Sequence, residues 1–346
     1  MCGRKSQANA TPDLPRRAAC WFLVLLAVFA GSRASTQEIP PAVASDASAE
    51  SLVPLPTLGG KQFWADELLF HQWRIQRNVL TDRCRLLDAD NWRHASGTFD
   101  QCSAVLEKIK LERLLPPMKG RAVIVLHGLG RDRAMMETLC RHLRDHSGFC
   151  VFNVGYPSTQ AGVAEHARAL ARVVDRLEGI GELNFVAHSM GNLVVRHYLA
   201  DRKTAHAAGQ ASPALGRMVM LGPPNHGSEV AAALGQSDWF VTATGPAGQE
   251  LGAKWAELEP RLAIPPCPFG IIAGGLGGSQ GFNPLLATDD DGLVTVASTR
   301  LSGAADFVRV PVLHTLLPYD PKVLQYTLRF LQKGYFICPD ERHPLR

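Results

Sequence analysis

From Ala122 onward the apolar residues follow two alternating rhythms. Short unbroken runs at Ala122–Leu126, Phe149–Val154, Leu183–Ala187, Met218–Leu221, Gly270–Ala273 and Phe307–Val310 suit strands buried on both faces. Between them the apolar residues return at helical spacing: Met136, Leu139, Cys140 and Leu143, then Val163, Ala167, Leu170, Val174 and Leu177, then Met190, Leu193, Val194 and Tyr198. A last helix opens with Asp320 as cap and Pro321 in its first turn, and Gly334 closes it. This alternation predicts an α/β fold with a mostly parallel central sheet flanked by helices.

Upstream of this body the pattern is weaker. His71–Arg77 and Cys84–Leu87 predict two short strands around a turn at Thr81-Asp82. Thr98 and Gln101 are spaced as a capping box, and Phe99, Cys102, Val105, Leu106 and Ile109 then mark one helical face. Residues 61–118 are read as an N-terminal extension packed on the core. Residues 229–264 interrupt the rhythm and carry Trp239, Phe240, Val241, Leu251, Trp255, Leu258 and Leu262. Such a segment is either a helical cap over the site, with Trp239, Phe240 and Trp255 meeting an acyl chain, or a helical insertion with its own small core.

Composition changes the picture mainly at the start. Arg4, Lys5, Arg16 and Arg17 precede an apolar run from Ala18 to Gly31, and Ser32-Arg33-Ala34 supplies small residues for cleavage. The run is about 14 residues against about 20 for a bilayer span, so residues 1–34 read as a secretion signal, or as an anchor where uncleaved. The expected location is periplasmic or extracellular. Residues 35–60, rich in Ser, Ala and Pro, read as a flexible linker, and 335–346 as a tail. Cleavage after Ala34 takes five basic residues and one acidic one, and the formal net charge of +4 falls to zero. The basic balance therefore belongs to the signal, and no nucleic-acid footprint remains. Six cysteines stay. An even number in an exported chain suggests disulfides, with Cys140–Cys150, Cys84–Cys102 and Cys267–Cys338 as the expected pairs. No close Cys-x-x-Cys spacing points to zinc.

The chemistry centres on Val186-Ala187-His188-Ser189-Met190-Gly191, between a buried strand and an amphipathic helix. A serine on such a turn is pushed out of the sheet edge, with small residues two places before and after it. Its hydroxyl needs a base, and the base needs an orienting acid. His314 lies between the last strand and the last helix, and Asp289-Asp290-Asp291 forms an acidic turn before Gly292-Leu293-Val294. The triplet reads as a triad acid, a solvated turn or part of a calcium site. Asp291 is favoured because it adjoins the glycine and the buried Leu-Val pair, while Asp289 and Asp290 read as solvated. Two N–H donors must face an oxyanion, and Met190 and Leu129, within His127-Gly128-Leu129-Gly130, are placed to supply them. His127 and His188 are read as structural. Asn225 and His226 read as pocket lining or as an ordinary turn.

These pieces, with Leu221-Gly222-Pro223-Pro224-Asn225-His226-Gly227-Ser228, resemble the α/β-hydrolase superfamily, and within it the bacterial serine lipases and esterases. The resemblance covers residues 119–334; residues 61–118 match no family. It implies a Ser189–Asp291–His314 triad and ester hydrolysis through an acyl-enzyme, without a cofactor or metal. Acyl transfer, thioester or amide hydrolysis, and a non-catalytic binding role share the fold. The expected partners are a small-molecule or lipid ester and a membrane surface, with the chain acting as a monomer.

Overall fold

The computed structural model describes residues 55–56, 61–207 and 213–346. The expected signal, 1–34, lies outside the described residues, as does the linker apart from residues 55–56. The first part is a five-stranded antiparallel sheet: β1 (Leu55–Pro56), β2 (Trp64–Phe70), β3 (Trp73–Asn78), β4 (Cys84–Leu87) and β5 (Trp92–Gly97), in the order β1-β5-β4-β3-β2. The strand expected at His71 begins at Trp73, because His71 adopts a positive φ of 51° in the β2–β3 turn. β2 and β5 escaped the sequence reading because charged residues fill strand positions that alternation assigns to apolar ones. Helix α1 (Phe99–Glu112) follows, and its capping box is present: the Thr98 hydroxyl accepts from Gln101 N–H and the Gln101 side chain accepts from Thr98 N–H. Cys102 and Leu106 of α1 pack in one core with Ile75, Cys84 and Leu86.

The opposite face of this sheet is polar. Asp66, Gln76 and Arg85 are cross-strand neighbours on β2, β3 and β4, and all three are buried. They meet side chain to side chain. Gln76 Nε2 donates to Asp66 Oδ1 at 2.7 Å, Arg85 Nη2 donates to Gln76 Oε1 at 2.8 Å, and Arg74 donates to Asp66 Oδ2 at 2.8 Å. Asp66 also ties the sheet to the main body, accepting from Gly155 N–H at 2.7 Å while its own N–H donates to Gly155 O at 2.9 Å. Buried polar groups are tolerated when paired in this way.

The main body is a six-stranded parallel sheet of β6 (Gly120–Leu126), β7 (Cys150–Val154), β8 (Ile180–His188), β9 (Ala214–Leu221), β10 (Phe269–Gly274) and β11 (Asp306–Val310), in the order β7-β6-β8-β9-β10-β11. Every strand read from the sequence is there. Alternate residues feed two cores. Val123, Val125, Val186, Val219 and Ile272 pack under α2 (Glu137–Ser147) and α9 (Pro321–Lys333). Ile124, Phe185, Met218 and Ile271 pack under α3 (Val163–Asp175) and α4 (Gly191–Ala207). Each such side chain contributes roughly 1.5–3 kcal/mol, which explains the unbroken apolar runs.

Residues 229–264 are helical, with α5 (Glu229–Leu234), α6 (Asp238–Leu251), kinked at Gly245 ahead of Pro246, and α7 (Trp255–Leu258). The short helix α8 (Val296–Thr299) follows β10. Glu250 of α6 accepts the Val163 N–H at 2.7 Å and so caps α3 from outside. The tail is docked: Asp306 accepts from the N–H groups of Phe336 and His343.

The expected disulfides are absent among the described residues; all six cysteines are free thiols. Cys140 belongs to the core under α2, whereas Cys150 packs on the other face of the sheet, its thiol directed to Lys119 O at 3.7 Å. Closeness in sequence did not decide the face. Cys84 and Cys102 share one core as thiols, and burial pushes the Cys102 thiol up to about 12. Cys267 is buried in that core, while Cys338 lies half-buried in the tail. Among the described residues no helix is long and apolar enough to cross a membrane.

Candidate active site

Ser189 stands on the turn between β8 and α4 with φ at 54°. For a residue with a Cβ this left-handed backbone costs about 1–3 kcal/mol and persists only where neighbours enforce it. Here they do. Ser189 N–H donates to Leu221 O at 2.9 Å, and Ser189 O accepts from Asn192 N–H at 3.0 Å and Asn192 Nδ2 at 2.9 Å. A Cβ on Gly128 would fall 2.8 Å from Ser189 Cβ, so only glycine lets the β6 loop lie against the serine.

His314 opens the turn after β11 and is buried. Its Nδ1 lies 2.7 Å from Asp291 Oδ2, and its backbone N–H donates to Asp291 O at 2.8 Å. The other carboxylate oxygen of Asp291 accepts from Leu293 N–H at 3.1 Å and Val294 N–H at 2.8 Å. Asp291 is thus fixed at both oxygens, as an orienting acid must be. The Nδ1–H tautomer that this pair selects leaves Nε2 with a free lone pair. Gly222, at a φ of 50°, makes room: a Cβ there would come within 3.0 Å of His314 Nδ1.

Asp289 and Asp290 are not the solvated residues expected. Asp290 is fully buried and accepts from Asn283 N–H at 2.9 Å and Gly292 N–H at 2.7 Å; burial raises its pKa. Asp289 accepts from Leu276 and Gly277 N–H and pairs with Arg309 at 3.2 Å. Each braces a different stretch of loop. Among the described residues no group of three His, Cys, Asp or Glu could hold a metal ion.

His188 ends β8 beside Ser189. Burial, then the neighbouring His314, holds its pKa well below the ordinary value. The neutral ring donates from Nε2 to His314 O at 2.9 Å, and the two rings lie 4.6 Å apart. His127 stacks on Tyr156 at 4.3 Å, and the Tyr156 hydroxyl donates to His127 O at 2.5 Å. Tyr156 was not singled out in the sequence; it stands just past the end of β7. Among the described residues the N–H groups of Leu129 and Met190 make no hydrogen bond within the chain.

Of the cap aromatics, the Trp239 and Phe240 rings meet edge to face at 5.9 Å, and Phe240 and Trp255 pack on the same core. Trp239 is exposed, Phe240 is buried in the core, and Trp255 packs over Gly227, 3.1 Å from where its Cβ would be. Asn225 is a buried pin rather than pocket lining: it accepts from Arg196 at 3.0 Å and donates to Thr299 O at 2.8 Å. His226 is half-exposed and faces Glu259 at 3.5 Å.

The parallel sheet of order β7-β6-β8-β9-β10-β11, with its serine on the turn after the central β8, has the architecture of the α/β-hydrolase fold. No family model matches the chain, and no curated protein matches it in sequence. Solved structures similar to it include the lin2722 gene product of Listeria innocua, with a TM-score of 0.44 and 18% identity over 63% of this chain and 95% of that one. The propeptide form of the lipase BlEst2 of Bacillus licheniformis has a TM-score of 0.46 and 17% identity, over 62% of this chain and 51% of that one. A thermophilic esterase of Thermogutta terrifontis has a TM-score of 0.39 and 16% identity, over 63% and 92%.

Proposed function

We propose that this protein is an exported serine hydrolase that cleaves carboxylic esters through an acyl-enzyme. The observation that carries the reading is the buried pair of His314 Nδ1 and Asp291 Oδ2 at 2.7 Å, on the same sheet edge as a serine in a left-handed turn. In this reading Ser189 Oγ attacks the acyl carbon as His314 Nε2 takes its proton. The oxyanion is held by Leu129 and Met190 N–H. The C–O bond to the alcohol breaks, and the alcohol leaves with the proton from His314. Water then attacks the acyl-enzyme, giving one proton to His314, which returns it to Ser189 as the acid departs. Asp291 keeps the imidazole in the productive tautomer and stabilises its charged form. None of these steps calls for a cofactor.

Hydrolysis of p-nitrophenyl esters of increasing chain length tests the proposal. Release of p-nitrophenol at rates that depend on acyl length, and that Ser189→Ala removes, is the expected result. A folded protein that cleaves none of the panel overturns it.

A further inference from the structure

A cavity of about 350 Å³ lies between the polar face of the antiparallel sheet and the loops after β6 and β7. Gln76, Arg85, His127 and Tyr156 line it and are buried. Arg85 lies over the Trp64 ring at 3.9 Å. Its Nε and Nη2 donate to Gln76 Oε1, and Nη1 takes no part in that pair. Gln76 is neutral, so this buried guanidinium has no carboxylate in direct contact among the described residues. The carboxylate that acts on it, Asp66, is already paired with Arg74 at 2.8 Å. Burial, and then the like charges of Arg93 and Arg133, push the Arg85 pKa down to about 10 against the pull of Asp66. A buried cation in that position is completed by an anion.

His127 lines the same cavity. Its Nδ1 lies 2.9 Å from Gly128 O, and its Nε2 is buried with no partner. Burial favours the neutral ring, so Nδ1 carries the proton and the buried Nε2 is an acceptor without a partner. Arg133 reaches the same cavity, its guanidinium donating to the neutral Asn91 amide oxygen. Two acids also line it: Asp90 is exposed to solvent, and Asp132 caps a turn by accepting from Ala134 N–H at 2.7 Å. Exposure screens Asp90 more than the buried Arg85.

We propose that this cavity binds an oxyanion, a phosphate or carboxylate carried by the ester substrate, with Arg85 and Arg133 donating to it. The word substrate rests on the ester-hydrolase reading; the oxyanion site does not. Position favours the link. His127 is bonded to Gly128, which lies against Ser189, so the cavity and the nucleophile are separated by one loop. Arginine suits the task because its planar fork matches oxyanion geometry.

Binding is measured on Ser189→Ala protein, independently of turnover, by calorimetric titration with inorganic phosphate, glycerol 3-phosphate and glycerol. Both phosphates should bind and glycerol should not. Arg133→Gln should weaken binding by about tenfold or more, the loss expected for one hydrogen bond to a charged group. Arg85→Gln should act likewise, Arg85→Lys should retain part of the binding, and Arg141→Gln on the exposed face of α2 should leave it intact. Glycerol 3-phosphate binding tighter than phosphate assigns the site to a head group. Equal binding overturns that assignment and keeps the oxyanion site. No saturable binding, or binding that Arg133→Gln and Arg85→Lys leave untouched, overturns the proposal. In active protein, Arg133→Gln should lower the ratio of kcat/KM for butyryl glycerol 3-phosphate over butyryl glycerol by about tenfold. Phosphate binding without cleavage of either ester sinks the hydrolase reading alone. Cleavage of both, with an unmoved ratio and no binding, sinks the oxyanion site alone.

Discussion

The two sheets bury polar groups in different places. In the parallel sheet the buried polar side chains inside the strands are the neutral Asn153 and Asn184, Asp306 sits at the start of β11, and the histidines and the candidate acid gather at the carboxyl ends: His127 after β6, His188 at the end of β8, and Asp291 and His314 after β10 and β11. In the antiparallel sheet Asp66, Arg74, Gln76 and Arg85 lie within the strands. A polar group at a strand end can face a ligand without weakening the layer beneath it. A charge inside a strand must be matched from another segment, and here the matching joins the small sheet to the large one through Gly155. The parallel sheet therefore presents the candidate chemistry, and the antiparallel one is held on by its own buried charges.

If this contrast is right, the largest losses come from the strand ends of the parallel sheet. Ser189→Ala and Asp291→Asn should each lower kcat by about 10⁴-fold or more, by steady-state assay on a short ester, with the fold intact by circular dichroism. Asp290→Asn should instead lower stability, because Asp290 holds Asn283 and Gly292 rather than His314. A crippled kcat in a stable Asp290→Asn protein would move the acid by one residue. Within the antiparallel sheet, Asp66→Asn leaves Arg74 buried without its carboxylate and should cost about 3–5 kcal/mol in urea denaturation. A loss near zero would break the idea that buried charge anchors this sheet.

Smaller effects sharpen the boundary between the two. Gly128→Ala should reduce kcat by about 100-fold by displacing the serine, with little change in stability. Equal activity would mean that the β6 loop is free to move away. His166, between Tyr156 and the core, has its pKa lowered to about 4, chiefly by burial. The unfolded chain takes up a proton as pH falls through about 6.5, and the folded one does not until about 4. The stability is present above the unfolded value and is lost as pH falls. Between pH 7 and 5 the loss from this residue is about 2 kcal/mol. His166→Phe should flatten that dependence in denaturation at the two pH values; an unchanged slope would mean that other groups carry it.

What could be read from the sequence was local. The serine turn is a strand, a tight turn and a helix in one continuous stretch from Ile180 to Ala207, and each part has its own pattern. The choice of Asp291 rested on Gly292-Leu293-Val294, and the N–H groups of Leu293 and Val294 do brace that carboxylate. What escaped was non-local. β2 reads as a charged segment because Asp66 finds its partners at positions 74, 76 and 155, and a bulge between Asp66 and Leu68 breaks the alternation. Cys140 and Cys150 were paired by sequence distance, which cannot say that they face opposite sides of one sheet. Trp239, Phe240 and Trp255 read together as acyl-chain contacts, but successive helical residues such as Trp239 and Phe240 point about 100° apart, and of these two only Phe240 enters the core.

The central claim is that Ser189 is the nucleophile served by His314. The most direct measurement is peptide mapping by mass spectrometry after treatment with a fluorophosphonate. The account predicts one adduct on the peptide that holds Ser189, formed rapidly in the parent chain, about 10⁴-fold more slowly in Asp291→Asn, and absent in Ser189→Ala. No adduct on the folded protein, or an adduct on another serine that survives Ser189→Ala, would contradict it.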